Sequence, residues 1–325
     1  MRKGLLALAI FIGYSAVTGA QTQSYSFGFL ELPRSAHEAA LGGHVVSLRE
    51  PDPTLAYSNP AVLTGTSSPA LGLNVMTWLA GTTVAGAQYC NPIAKRSAFA
   101  VSARYVNYGI TDQTDNSGNL LGTYSSRDIS LAGSYSYRLG DRWSGGVTMR
   151  FIYSKYSSYS SFAIASDLGI IYSSASGRFN AGLTFSNMGG QIKPFQDTRE
   201  ELPFDISAGM TWRLAHAPLR ITATLDRLDK WDSKDFYCPE GSLDFRQILA
   251  RHINLGADIL ITDNIYVALG YNLRNGAELS TNSKKGLTGF TIGAGMHIKK
   301  VQFSLAFGKF QVSTSSLLFN FAINI

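Results

Sequence analysis

From residue 70 onward the chain is a series of short runs in which apolar and polar side chains alternate with period two, and nothing else in it restricts the fold so tightly. Successive side chains of an extended strand point to opposite faces, so such a run gives a strand with one apolar and one polar side. The C-terminal third shows it most plainly: Ile265, Val267, Leu269, Tyr271 and Leu273 share one face, with Tyr266, Ala268, Gly270, Asn272 and Arg274 on the other. Phe290, Ile292, Ala294, Met296 and Ile298 repeat the register, as do Val301, Phe303, Leu305 and Phe307, and then Leu317, Phe319, Phe321, Ile323 and Ile325. Fourteen runs are read, at 70–79, 82–91, 97–109, 128–138, 143–155, 162–174, 177–188, 203–214, 219–228, 251–261, 264–275, 287–298, 301–309 and 316–325. Most have the length of about 9–11 residues, or slightly more, that a tilted membrane-spanning strand needs.

The connections alternate too. Those after even-numbered runs are tight: Gly140-Asp141, Ala175-Ser176, Ala215-His216-Ala217-Pro218, Thr262-Asp263 and Lys299-Lys300. Those after odd-numbered runs are mostly longer, notably 110–127, 189–202, 229–250 and 276–286. Bacterial outer-membrane barrels have short periplasmic turns and long outer loops. The pattern predicts an all-β chain, a transmembrane antiparallel β-barrel of about fourteen strands integral to the cell outer membrane, with both termini periplasmic. Composition alone leaves a soluble sandwich or propeller open: 15% charged and 12% aromatic residues with 32 glycines suit either. The face that is apolar decides between them, because a soluble barrel hides its apolar side chains and a membrane barrel displays them.

Arg2 and Lys3, an apolar stretch over 5–17 and Thr18-Gly19-Ala20 read as a cleaved secretory signal over 1–20. Its removal takes two positive charges off the formal +6, so the basic balance gives little support to nucleic-acid binding, and none is expected. The expected organisation is a signal peptide at 1–20, a lead-in and lumen plug at 21–69, and the barrel at 70–325. Within 21–69, Ser35 and Glu38 have capping-box spacing, Gly42-Gly43 would stop a helix, and Asp52-Pro53 and Asn59-Pro60 punctuate turns. The segment is too small for a core of its own, which places it inside the barrel or across its mouth. Cys90 and Cys238 fall at opposite mouths and are expected not to pair.

Arg104, Arg138, Arg150, Arg213, Arg220, Asp167, Asp226 and Asp258 lie on polar faces and are read as ion pairs that fill the lumen rather than line a pore. Trp78, Tyr108, Trp143, Tyr153, Tyr156 and Trp231 fall near strand ends, where interfacial aromatic girdles sit. The five histidines have no metal-ligand spacing, no nucleophile elbow occurs, and the acidic loop at 112–119 misses the calcium-loop register. No enzyme and no cofactor are expected. Loop 229–250 mixes charge with aromatic side chains, Lys230, Trp231, Phe236, Tyr237 and Phe245, a composition that suits a protein-binding rim or a self-packed loop.

Several segments in one order resemble a known family. Leu32-Pro33-Arg34-Ser35-Ala36, Ala40-Leu41-Gly42-Gly43, Ser58-Asn59-Pro60-Ala61, Val106-Asn107-Tyr108-Gly109, the stretch 159–169, Leu202-Pro203-Phe204-Asp205 and 213–218 are similar to the PorQ family, within the PorV/PorQ group of FadL-like barrels. The resemblance implies a non-enzymatic outer-membrane subunit of the type IX secretion system. Such a subunit anchors a PorZ-like partner, works beside PorU and PorV in exporting and attaching cargo, and is bounded by membrane lipid and lipopolysaccharide. The alternative, on fold analogy, is a FadL-like transporter of hydrophobic small molecules.

Overall fold

The computed structural model describes residues 27–325 apart from 79–80, 116, 118, 198, 239–240, 280–287 and 311–314, so the expected signal peptide lies outside the described residues. Fourteen strands form one closed barrel. They are β1 Ala70–Thr77, β2 Thr83–Ala94, β3 Ser97–Thr114, β4 Leu120–Arg138, β5 Trp143–Tyr156, β6 Tyr159–Ser173, β7 Phe179–Lys193, β8 Asp205–Arg213, β9 Leu219–Leu225, β10 Ile253–Thr262, β11 Ile265–Asn272, β12 Phe290–Ile298, β13 Val301–Gly308 and β14 Ser316–Asn324. Each pairs antiparallel with its sequence neighbours, and β1 closes the ring on β14, Ala70 facing Asn324 and Met76 facing Leu318. Closure leaves no sheet edge within the wall, as a hydrocarbon environment requires.

The alternation places the faces as expected. Leu131, Phe151, Leu255, Leu269, Ile292 and Phe319 are exposed on the outside, while Ser130, Thr148, Asn254, Thr291 and Asn320 are buried within. A wall that displays aliphatic and aromatic side chains and hides hydroxyls and amides is inverted relative to a water-soluble barrel, which removes the sandwich and propeller alternatives.

Three elements differ from the reading, the simplest being β7, which runs on to Lys193 through the first part of the expected loop 189–202. Residues 110–127 are not a loop: β3 and β4 run on past their outer neighbours as a two-stranded ribbon, with Ile110 opposite Ser125 and Thr114 opposite Leu120. None of the described residues of the ribbon is fully buried, so it lacks the alternation of apolar and polar side chains by which the other strands were recognised. The eleventh run stops at Asn272, whose side-chain oxygen accepts from the Asn275 N–H and starts helix α3, Leu273–Glu278.

The aromatic girdle is also smaller than expected. Trp143 and Tyr153 point outward, but Tyr108 and Tyr156 turn into the lumen and donate to the same carboxylate of Asp128, at 2.5 and 3.0 Å. Tyr156 shares the parity of inward Arg150 on β5, and Tyr108 sits where the β3–β4 register shifts. Trp78 packs on Phe310, and Trp231 lies in the connection between β9 and β10. Cys90 is buried in the wall near the tight turns, Cys238 lies in the loop after β9, and both are free.

Residues 27–65 supply helix α1, Ala36–Ala40, and three 3-10 turns, Gly28–Glu31, Pro53–Tyr57 and Pro60–Gly65. Their apolar side chains, among them Phe27, Leu30, Leu41, Leu55 and Leu63, form one buried cluster with inward Met76, Val84, Ile152 and Leu318. The last two turns start as the Asx-Pro pairs suggest, Asp52 accepting from Thr54 N–H and Asn59 from Ala61 N–H. The Ser35–Glu38 capping box does not form. Ser35 instead donates to Asp52 (3.2 Å), and Glu38 accepts from Ser58 (2.8 Å), because both side chains are drawn to neighbouring turns rather than to their own five-residue helix.

Candidate functional site

The tight turns gather at one mouth of the barrel and the longer connections at the other. At the loop mouth the connection from β9 to β10 is folded, not slack. Asp232 and Asp235 box a short 3-10 turn, and Asp244 and Gln247 box helix α2, Phe245–Arg251, each pair exchanging side-chain and backbone hydrogen bonds. Trp231 donates its indole N–H to the Leu228 carbonyl (2.7 Å). Its ring lies nearly parallel to Phe245, centroids 6.1 Å apart, and over His252 at 4.4 Å. His252 is fully buried with Nδ1 2.8 Å from the Asp226 carbonyl, and forms the pillar beneath the platform.

Of the five residues read as a rim, the aromatics Trp231, Tyr237 and Phe245 are exposed at 44, 59 and 66%. Lys230 is half-buried, and Phe236 is buried edge-on against His252, so it supports the surface rather than presenting itself. The sequence reading missed Leu249, four residues after Phe245 on the same helix face and also exposed. Aromatics held in place before any partner arrives lose little side-chain freedom on contact, the condition under which they act as anchors.

The four candidates of the N-terminal segment are all buried. Ser35 reaches the β14 wall through Asp52, which also accepts from Asn320 (2.9 Å). Glu38 holds Arg34 N–H and Ser58. Asn59 donates to the Val46 carbonyl (2.7 Å) and to that of Ile170 in β6. The Pro60 backbone lies so near Gly146 that a Cβ there would come within 2.5 Å of it.

The strongest attachment was not anticipated. His37 donates through both ring nitrogens, to Glu50 of the same segment and to Asp258 of β10, each 2.8 Å away. Arg220 of β9 bridges the same two carboxylates at 2.5 and 2.7 Å, and Tyr266 stacks on the imidazole at 3.9 Å. Arg220 and Asp258 were recognised as lumen charges, but their partners lie some two hundred residues away in sequence. Of the charges read as lumenal ion pairs, Arg150 and Asp167 do pair (2.5 Å), whereas Arg104 and Arg138 donate to carbonyls of the N-terminal segment, and Arg213, exposed at the end of β8, pairs with Asp263 in a turn.

Burial alone would depress the pKa of His37, but the Glu50 and Asp258 carboxylates outweigh it and lift the value to about 9. Glu50 is held well below the usual carboxylate range, its own burial being overcome by Arg220 and His37. An unfolded histidine titrates near ~6.5, so the imidazolium's contribution, about 3 kcal/mol, is complete below that pH and is lost as pH rises through about 9. The denaturation temperature in detergent is expected to fall between pH 7 and 9.5. His37→Gln should start lower and lack this fall; parallel pH profiles for the two proteins would refute a charged His37.

Between the rim and α1 lies a cavity of about 550 Å³, open at the loop mouth. Phe29, Leu30, Trp78 and Phe310 line its apolar side, Asp226 and Arg274 its polar side. The strand faces announce no apolar lumen, because part of this lining comes from the N-terminal segment. Among the described residues no group of three or more His, Cys, Asp and Glu could hold a metal ion.

A closed fourteen-strand barrel, apolar outside and polar within, defines an integral outer-membrane β-barrel protein. The family model "Type IX secretion system protein PorV" matches residues 76–216, from the end of β1 to the turn after β8. The fold is similar to that of the Pseudomonas putida toluene transporter TodX, with a TM-score of 0.57 and 13% identity over 90% of this chain and 97% of that one. It is similar too to a Pseudomonas aeruginosa FadL homologue (TM-score 0.53, 13% identity, 89% and 97% covered) and to the CymD monoaromatic hydrocarbon channel (0.56, 13%, 93% and 99%). At such identities the likeness is one of fold. Comparison with curated proteins found no match.

Proposed function

We propose that the protein is a non-enzymatic outer-membrane component of the type IX secretion system, of the PorQ kind, which holds a PorZ-like partner for the export and surface attachment of cargo. The observation that carries this reading is the PorV match across the consecutive strands from β1 to β8. In this reading the tight turns and both termini face the periplasm, residues 21–69 are a lumen plug, and the loop mouth faces outward. The platform of Trp231, Tyr237 and Phe245 contacts the partner. The barrel sits among membrane lipid and lipopolysaccharide and works beside PorU and PorV.

The test is isolation of the tagged protein from detergent-solubilised outer membranes of its own organism, with co-purifying proteins identified by mass spectrometry. A PorZ-like protein or other secretion subunits should be recovered. Trp231→Ala with Phe245→Ala should lower partner recovery at least about tenfold, since an anchoring aromatic contributes on the order of 2 kcal/mol or more, while the barrel stays inserted. An undiminished recovery would remove the platform from the interface.

A second reading, transport of a hydrophobic small molecule, is favoured by the cavity beside Phe29, Leu30, Trp78 and Phe310, and TodX and CymD are hydrocarbon transporters or channels of similar fold. A barrel isolated without partners but with bound lipid or fatty acid would favour it.

A further inference from the structure

The β3–β4 ribbon has two free edges. β2 pairs with β3 only as far as Asn107, and β5 pairs with β4 only from Ser126. Beyond those points β3 and β4 pair with each other alone, up to Thr114 opposite Leu120, and project roughly 17–20 Å at about 3.4 Å per residue. The register shifts between Asn107 and Ile110, where Gly109 takes a φ of +80°, a bulge at the point where the ribbon leaves its neighbours in the wall. Its tip is fixed by Asp115, which accepts from the backbone N–H groups of Ser117 and Asn119 at 2.8 Å each. The free edges are therefore held extended.

A two-stranded ribbon in water is marginal and gains stability from a third strand. Natural proteins blunt such edges with charge or proline. The β4 edge from Leu120 to Ser125, Leu-Leu-Gly-Thr-Tyr-Ser, carries neither, and the β3 edge carries Asp112. Leu120 and Leu121 are 65 and 63% exposed and point to opposite faces. An edge of this kind selects its ligand by backbone hydrogen bonding, and its side chains prefer an uncharged segment with apolar residues on both faces.

We propose that this edge is a strand-addition site whose occupant is an extended, uncharged, apolar-rich segment of the surface partner, hydrogen-bonded along Leu120–Ser125; this rests on the anchoring role proposed above. A second copy of the chain is the poorer occupant. Two copies in one membrane point the same way, so identical edges related by a two-fold axis would meet parallel with like groups facing. Pairing β3 of one copy with β4 of the next avoids that, but it is a heterologous contact that leaves edges free unless several barrels close into a ring.

The test uses the complex purified from the protein's own outer membranes and compares its backbone amide exchange with that of the same barrel stripped of partners by urea. Strand addition should slow exchange at 120–125 on the order of a hundredfold in the complex. Leu121→Lys with Thr123→Lys, which puts two charges on the edge, should lower partner recovery about tenfold or more without affecting insertion. Partner retained with unchanged exchange at 120–125 and full recovery by the double-lysine variant would overturn strand addition and leave the anchoring role standing. Recovery of the barrel alone would overturn both, and protection that arises only between copies of this chain would overturn the assignment of the occupant.

Discussion

Replacing Arg150 by Met is expected to destabilise the barrel by about 3–5 kcal/mol, the usual cost of leaving a buried charge without its partner. Arg150 is 1% exposed, donates to Asp167 at 2.5 Å, and places its guanidinium 5.1 Å from the centre of the Tyr57 ring. The other oxygen of Asp167 accepts from Asn187 N–H (2.7 Å), so the carboxylate cannot turn away in the variant. Its charge would lose its hydrogen-bonded cation and keep only the more distant pull of Arg34. The double variant Arg150→Met with Asp167→Asn should recover most of the loss, because removing both charges lifts the desolvation cost while the amide oxygen still serves Asn187. The urea midpoint in detergent, or the temperature at which the folded gel band converts to the unfolded one, measures both. If the double variant is as weak as the single one, the loss comes from the packing of Arg150 on Tyr57 and not from a stranded carboxylate.

How far the sequence reveals this molecule depends on the range of the force concerned. Alternation is a local signal driven by the contrast between lipid and lumen, and it located all fourteen strands and their faces. It failed where that contrast is absent: at Thr111–Gln113 and Thr123–Ser125, water lies on both sides and the alternation disappears. Parity would have turned Tyr156 inward with Arg150, had it been weighed above the habit of aromatic residues at strand ends. The rim was visible as composition, but the inward turn of Phe236 depends on His252, sixteen residues further on. The His37, Glu50, Arg220 and Asp258 cluster joins the N-terminal segment to β9 and β10, and no spacing rule links those positions.

The same separation hid the meaning of the glycines, which in composition read only as a trait of barrels. Gly256 and Gly270 face each other across β10 and β11, and Gly293 lies on the adjacent strand. Together they form a strip without side chains, on which Ala40, Leu41 and Gly42 rest. A Cβ on Gly270 would fall 2.2 Å from the Gly42 nitrogen and 2.4 Å from the Leu41 carbonyl carbon, both of them backbone atoms that no rotamer change can move. Gly270→Val is therefore expected to cost about 3 kcal/mol or more through overpacking and to lift the end of α1 off the wall. The outward faces of β10 to β12 are untouched, so the barrel should still insert and close. With α1 displaced, His37 loses its reach to Asp258, and amide protection over 36–43 should fall. If residues 21–69 plug the lumen as proposed, ion conductance should also appear in planar bilayers where the parent protein shows none. Gly133→Val is the control, since its Cβ would meet nothing within 4 Å, and it should behave as the parent. Unchanged protection over 36–43 in Gly270→Val would mean that the segment is not held by this strip, whatever the conductance.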